Sequence, residues 1–296
     1  MKFVSKKLIL IISMTAVSFL FYYVYSNSIS VTIYSIVDDQ YGGDCNTIGN
    51  WDLSSKTCTI SSDLPVGHSI HLDSNGITLD GNGKTISGNG ENIGVKLFSK
   101  TQITVKNLNI VNFENGVFLQ NSIGNTITNL NITFTKMHGV HLIDSSNNNT
   151  ISFNEIGNNF EHGIRIDDSN GNLIIGNTIK QTKDGIRLQD SNNNIITKNT
   201  LTENRVEGID LHTSMGNRVY HNNLIESEAV PIINSPSELP NVYFINSGGN
   251  YYSTFDEPSE GCFNQNLDDF CDSPYDFKGG QDSMAFIKQD GWIYQK

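Results

Sequence analysis

Arg165 and Arg187 stand 22 residues apart in two near-identical strings, GIRIDDSNGN and GIRLQDSNNN; Asp210 and His212 follow in a third, GIDLHTS. An arginine fork can hold both oxygens of a carboxylate at once, which suits recognition of an acidic molecule. A histidine beside an aspartate can take and return a proton near neutral pH. Arg187, Asp210 and His212 are therefore the candidate catalytic residues. That reading requires a backbone that brings widely spaced residues to one place.

The spacing supplies such a backbone. A glycine recurs at Gly94, Gly116, Gly139, Gly163, Gly185 and Gly208, at intervals of 22, 23, 24, 22 and 23 residues. Self-similarity at this period marks a solenoid. One and three residues after each glycine stand aliphatics, such as Val140 and Leu142 or Ile186 and Leu188. That alternation is a short strand with one buried face. A second strand follows in NTISFNEI, NLIIGNTI and NIITKNTL, and no stretch reads as a helix. Each repeat is then one turn of an all-β parallel β-helix, about 7–9 coils long, with strands stacked about 4.8 Å apart.

Asparagines lead the second strand at Asn125, Asn149, Asn172, Asn194 and Asn217, and recur five residues later at Asn154, Asn177, Asn199 and Asn222. Stacked amides form hydrogen-bonded ladders, and asparagine tolerates the left-handed conformation of tight bends. These columns read as architecture.

Function should show as a patch that does not repeat. The outward column two residues after the glycine reads Lys96, Phe118, His141, Arg165, Arg187, Asp210; two residues further on it reads Phe98, Gln120, Ile143, Asp167, Gln189, His212. Neighbours across coils lie about 5–7 Å apart, so Asp210 should adjoin Arg187 and His212, and Arg165 should adjoin His141, Asp167 and Arg187. Phe98, Phe118, His141, Arg165, Asp167 and Gln189 are the candidate substrate-binding residues, the two aromatics being suited to stacking on sugar rings. The competing reading is an outward ladder of exposed ion pairs, which contributes little per pair.

Other chemistries fare less well. Glycoside hydrolysis needs two carboxyl groups about 5–9 Å apart across one bond; Asp144, Asp168 and Asp190 form a column, but it falls in a turn and repeats. Stacked His138 and His162, just before their glycines, could hold copper, yet no Met- or Cys-rich motif accompanies them. Asn264, Asn266, Asp268 and Asp272 have the spacing of calcium ligands, without the glycine and terminal glutamate such loops carry. The 296-residue chain has a net charge of −12, which argues against nucleic acid as a partner, because a phosphate-binding surface needs a basic stripe.

Three lysines precede an apolar run from Leu8 to Tyr25, either a single-pass membrane anchor or a cleaved signal that would leave the protein secreted. Both place the remainder outside the cytoplasm. Four cysteines suit that compartment; pairing neighbours, Cys45 with Cys58 and Cys262 with Cys271, is the simplest of three connectivities. The chain divides into the anchor or signal (1–30), an N-terminal cap (31–60), the coils (61–235) and a C-terminal cap (236–296). Beyond Pro231 the repeat is expected to dissolve into a proline-containing loop.

The strings GITLDGNGKTISG, SNNNTI, GGNYYSTFD and CDSPYDF resemble the NosD-like right-handed parallel β-helix proteins of the pectate-lyase-like superfamily, over roughly residues 38–296. The resemblance implies an extracytoplasmic β-helix, often described as carbohydrate-binding. It also implies, as an alternative, an accessory role in copper loading or a non-catalytic scaffold. EGIDLH further resembles the Gly-x-Asp-Pro-His string of mannuronan epimerases, matching Asp210 and His212. Leu211 departs from the proline, and Glu207 stands where that motif has a tyrosine. The combined expectation is an extracellular, uronic-acid-containing polysaccharide as partner, bound and, if a bond is altered, altered by lyase or epimerase chemistry.

Overall fold

A computed structural model describes residues 31–225, 230–234 and 240–294. The apolar run Leu8–Tyr25 lies outside these residues. Among the described residues no helix is long and apolar enough to cross a membrane.

Each coil is a triplet of short strands. One coil contributes Val140–Ile143, Thr150–Ser152 and Glu155–Gly157; the next contributes Ile164–Asp167, Leu173–Ile175 and Thr178–Lys180. Within the coils each strand pairs in parallel with its counterpart one coil on, building a parallel β-solenoid of about seven coils. Its three long sheets hold nine, nine and eight strands. Sheet 1 carries the strands that begin at or beside the anchoring glycines. Its register sets His141 opposite Arg165, Arg165 opposite Arg187, and Arg187 opposite Asp210.

The interior follows from the alternation. Ile164 and Ile166 from sheet 1, Ile174 from sheet 2 and Ile179 from sheet 3 are all fully buried within a single coil. Burying each such side chain contributes about 1.5–3 kcal/mol. The glycines are required by closeness. A Cβ on Gly163 would sit 2.4 Å from Ile179 Cγ2 and 2.6 Å from the Gly185 carbonyl oxygen. Gly163→Ala is therefore expected to destabilise by about 1–3 kcal/mol through overpacking, read as a fall of several degrees in the thermal midpoint.

Both asparagine columns are hydrogen-bonded ladders. Asn172 offers its backbone N–H and side-chain amide to Asn194 Oδ1 at 2.8 and 3.1 Å, and Asn194 does the same to Asn217 at 2.8 and 3.1 Å. The second ladder runs from Asn154 through Asn177, Asn199 and Asn222 to Asn250. A third column, not anticipated from the sequence, stacks Ser122, Ser146, Ser169, Ser191 and Ser214, each backbone N–H donating to the next hydroxyl. One expectation is corrected. The left-handed bend falls not on the ladder asparagines but on the residue just before each, including Asn148, Gly171, Asn193, Phe153, Gly176 and Lys198. The ladder side chain must aim along the solenoid axis, so the turn's positive φ is left to its neighbour.

The disulfides pair neighbours, Cys45–Cys58 and Cys262–Cys271. At the N-terminal end, strand Thr32–Ile36 already belongs to sheet 1, and the hairpin Gly49–Asp52/Thr57–Ile60 opens sheet 2. At the other end the repeat does not stop at Pro231. Val230–Asn234 adds a last strand to sheet 1, pairing with Glu207–His212. Proline is tolerated there because this strand is the edge of its sheet.

Candidate functional site

The patch read from the sequence is real as a juxtaposition. Arg187 Nη1 lies 2.8 Å from Asp210 Oδ2. Arg165 Nε donates to Asp167 Oδ2 at 2.7 Å and to Oδ1 at 3.1 Å, while its Nη2 donates to Gln189 Oε1 at 3.2 Å. His141 Nε2 stands 2.8 Å from Asp167 Oδ2. Phe118 meets the His141 ring edge-on at 5.4 Å, and Phe98 lies exposed on the same sheet with Lys96 Nζ 5.9 Å from its ring centre. His212 is exposed at the end of the strand that carries Asp210.

A deeper row, missed in part by the sequence reading, underlies it. The position before each glycine reads Asn115, His138, His162, Asp184 and Glu207 along sheet 1. The two histidines, whose spacing leaves open whether they face in or out, are both only 2% exposed, and their rings stack at 5.0 Å and 7°. Asp184 is fully buried, with Oδ2 lying 2.9 Å from His162 Nδ1 and 3.8 Å from Arg187 Nη1. The His162 approach is close but misaligned, and neither Asp184 oxygen makes a well-formed hydrogen bond. Arg165 Nη1 is 3.2 Å from His162 Nε2. A guanidinium can only donate, so Nε2 accepts, and the ring proton is assigned to Nδ1, facing Asp184. The signal for this row was available in the sequence. Asp184 and Glu207 occupy the same place relative to their glycines as the two histidines.

Electrostatics divide these acids. Asp167 loses some hydration, but its bonds to His141 and Arg165 outweigh this and hold its carboxyl down to about 2. Burial opposes ionisation of Asp184, yet contact with His162 and Glu207 keeps it ionised. Glu207 is pushed up to about 8 by burial and by the neighbouring Asp184 and Asp210 carboxylates. Asp210 is raised, first by burial, against the pull of Arg187. Two adjacent coils thus hold a proton-bearing carboxyl, Glu207, beside an ionised one, Asp184. His138 is pushed down to about 2 by burial and by the neighbouring His141, His162 and Arg165, so it stays neutral.

In the C-terminal asparagine and aspartate set, Asn266, Asp268 and Asp272 accept hydrogen bonds from the loop itself, while Asn264 Oδ1 is buried without a partner among the described residues. Asn266 Oδ1 accepts from the Asp268 N–H at 3.1 Å, Asp268 Oδ1 from the Phe270 N–H at 2.8 Å, and Asp272 Oδ2 from the Gln265 N–H at 2.5 Å. Asn264 donates from Nδ2 to the Asp268 carbonyl at 2.6 Å. The Asp144, Asp168 and Asp190 column has positive φ throughout, as turn residues do.

Among solved structures the chain is similar to the periplasmic alginate epimerase AlgG, at 17% identity and a TM-score of 0.48, covering 74% of this chain and 57% of that one. It is similar also to the DFA-IIIase of Arthrobacter chlorophenolicus A6, at 13% identity and TM-score 0.49, over 63% and 52% of the two chains. A third is the AlgE6 A-module, a mannuronan C-5 epimerase of Azotobacter vinelandii, at 15% identity and TM-score 0.37, over 59% and 56%. The chain thus spans little more than half the length of each. No curated protein sequence matches it. The family described as "Periplasmic copper-binding protein (NosD)" matches residues 50–257, well over half of the sequence, and the chain belongs to the NosD family.

Proposed function

We propose that this protein works outside the cytoplasm, where it binds a uronic-acid-containing polysaccharide across sheet 1 and moves a proton on it, as a lyase or an epimerase would. The family's periplasmic description and the two disulfides support the compartment. The observation that carries the chemistry is the placement of Glu207, a partly exposed carboxyl, opposite Asp184 and on the strand of Asp210, which itself pairs with Arg187; burial and the two carboxylates push Glu207 up to about 8. Abstraction of a proton next to a carboxylate needs a base, a proton donor and positive charge near the developing anion. Asp210 or His212 supplies the base, Glu207 the donor and Arg187 the charge. Glu207 therefore fills the role left open where the epimerase-like string lacks its tyrosine. His162 positions Arg165 by accepting from it at Nε2, with the Asp184 carboxylate 2.9 Å from Nδ1 on the other side of the ring. Anchoring through the N-terminal apolar run would tether the protein to a membrane.

Incubating the full chain with alginate and with polygalacturonate tests the reading. Product should form as an unsaturated end or an inverted C5, and activity should fall as pH rises through about 8, where Glu207 loses its proton. Glu207→Gln should abolish turnover and keep binding. Binding without product would reduce the protein to a glycan-binding module, and absence of binding to either polymer would refute the proposal.

The family's description supports a second reading, copper. The donor set does not fit it. Among the described residues no group of three or more His, Cys, Asp or Glu is placed to hold a metal ion, and all four cysteines are in disulfides. The His138 and His162 rings lie nearly parallel, and ring lone pairs in parallel planes do not converge on one ion.

A further inference from the structure

A groove at the corner between sheets 3 and 1 has the chemistry of a second saccharide site. Its walls are Phe134, Thr135, Lys136, Phe160, Gln181 and Arg205, around a cavity of about 700 Å³. That volume lies within the range of small-ligand sites, about 300–1,000 Å³. Phe160 is 71% exposed and Phe134 58% exposed, although the inward-facing Ile132, Ile156 and Ile179 of the adjoining strands are buried. Two large aromatic side chains left in water on adjacent coils require an explanation.

The charge here is opposite to that of the chain. The protein carries 31 acidic and 19 basic residues, and among the described cations Lys56, Lys106, Lys183, Lys288, Arg165 and Arg187 pair with a carboxylate while others such as Lys96, Lys100 and Lys198 do not. Neither do the two cations lining the groove. Lys136 makes no ion pair among the described residues, and Arg205 donates to main-chain carbonyls of Gln181, Asn159 and Phe160, which leaves its charge uncompensated. The backbone places these side chains in one stack. The amide of Lys136 bonds to Phe113, that of Phe160 to Thr135, and that of Arg205 to Thr182, the same step repeated on different coils. Thr135, buried at the base, has a hydroxyl with no hydrogen-bond partner. At the far edge Gln181 donates to Glu203 at 2.7 Å.

We infer that this groove binds an acidic saccharide, a uronate unit or a short run of them. Phe134 and Phe160 stack on the sugar faces, and Lys136, with Arg205 behind it, meets the carboxylate. The site shares the ligand class proposed above and does not depend on the sheet-1 chemistry. It would hold a polymer at the corner while a neighbouring stretch lies across Glu207 and Arg187.

Calorimetric titration of the full chain with tetragalacturonate and tetramannuronate, against neutral cellotetraose, tests it. Wild type should bind the acidic tetramers in preference to the neutral one. The double variant Phe134→Ala/Phe160→Ala should lose about tenfold or more in affinity, and Lys136→Gln about fivefold together with part of the salt dependence. The exposure of all three side chains predicts an unchanged thermal midpoint. A double variant that binds within twofold of wild type, equal binding of the neutral tetramer, or no binding by wild type would each overturn the inference. So would a loss confined to Arg187→Ala, which would place the ligand on sheet 1 alone. Turnover lost through Glu207→Gln with groove affinity intact would sink neither proposal and would separate the two sites.

Discussion

Asp282→Ala is expected to destabilise the protein by about 3–5 kcal/mol, because Asp282 ends the second asparagine ladder. Its Oδ2 accepts the Asn250 N–H at 2.7 Å, the Asn250 side-chain amide at 3.2 Å and the Tyr252 hydroxyl at 3.1 Å, while Oδ1 accepts the Met284 N–H at 3.0 Å. All of these groups except the partly buried Met284 are in the interior, so alanine would leave buried donors without an acceptor. A ladder in which each amide orients the next transmits the loss back towards Asn222 and Asn199. Urea titration of wild type and variant reads the difference directly. An unchanged midpoint would mean that the ladder needs no terminal acceptor.

The same carboxyl adds a pH dependence of definite sign. Burial pushes Asp282 up to about 6, against the hydrogen bonds from Asn250 and Met284. Its folded-state value is therefore above its unfolded one, and the folded state favours the protonated form. The contribution is fully present below about pH 4 and is lost as pH rises through about 6, for a total of about 3 kcal/mol. Asp282→Asn keeps a ladder acceptor but cannot ionise. The stability of wild type relative to this variant should fall between pH 4 and pH 6, and level curves across that range would contradict the assignment.

The second large effect is at Arg187. It is the cation between Asp184 and Asp210, both buried. Removing one partner from a buried ion pair typically destabilises by about 3–5 kcal/mol, since the remaining charge stays in a poorly solvated place. Arg187→Ala should therefore lower stability by that order, raise Asp210 further, and abolish turnover on uronate polymers. Arg187→Lys restores a charge without the fork and should recover stability in part while leaving activity low. A variant as stable as wild type would show the row to be a solvated surface ladder. Full turnover in Arg187→Ala would remove the guanidinium from the mechanism.

Much of this was legible in one dimension because a solenoid converts period into proximity. Gly163, Gly185 and Gly208 sit one coil apart, so Arg165, Arg187 and Asp210 must be neighbours once the strands are known to stack. The alternation of Ile164 and Ile166 named the core by the same logic. Less legible was the row before the glycines. The glycine breaks the strand's alternation, so no period told whether His138, His162, Asp184 and Glu207 faced in or out, and only two of the four were picked out as a column. The corner groove was not read at all, since Phe134 and Phe160 occupy different positions in their repeats and come together only because Lys136 and Phe160 share one stack.

The sequence by itself determined the coil, its length, its core and which distant residues are adjacent, because these depend on backbone period and on apolar burial. Tertiary structure alone decided the states of the adjacent groups. It buried Asp184 and His162, left Glu207 partly exposed beside two carboxylates, and ended an asparagine ladder on Asp282. Proton affinity depends on solvent access and on charges a few ångströms away, and neither is written in the spacing of residues along the chain.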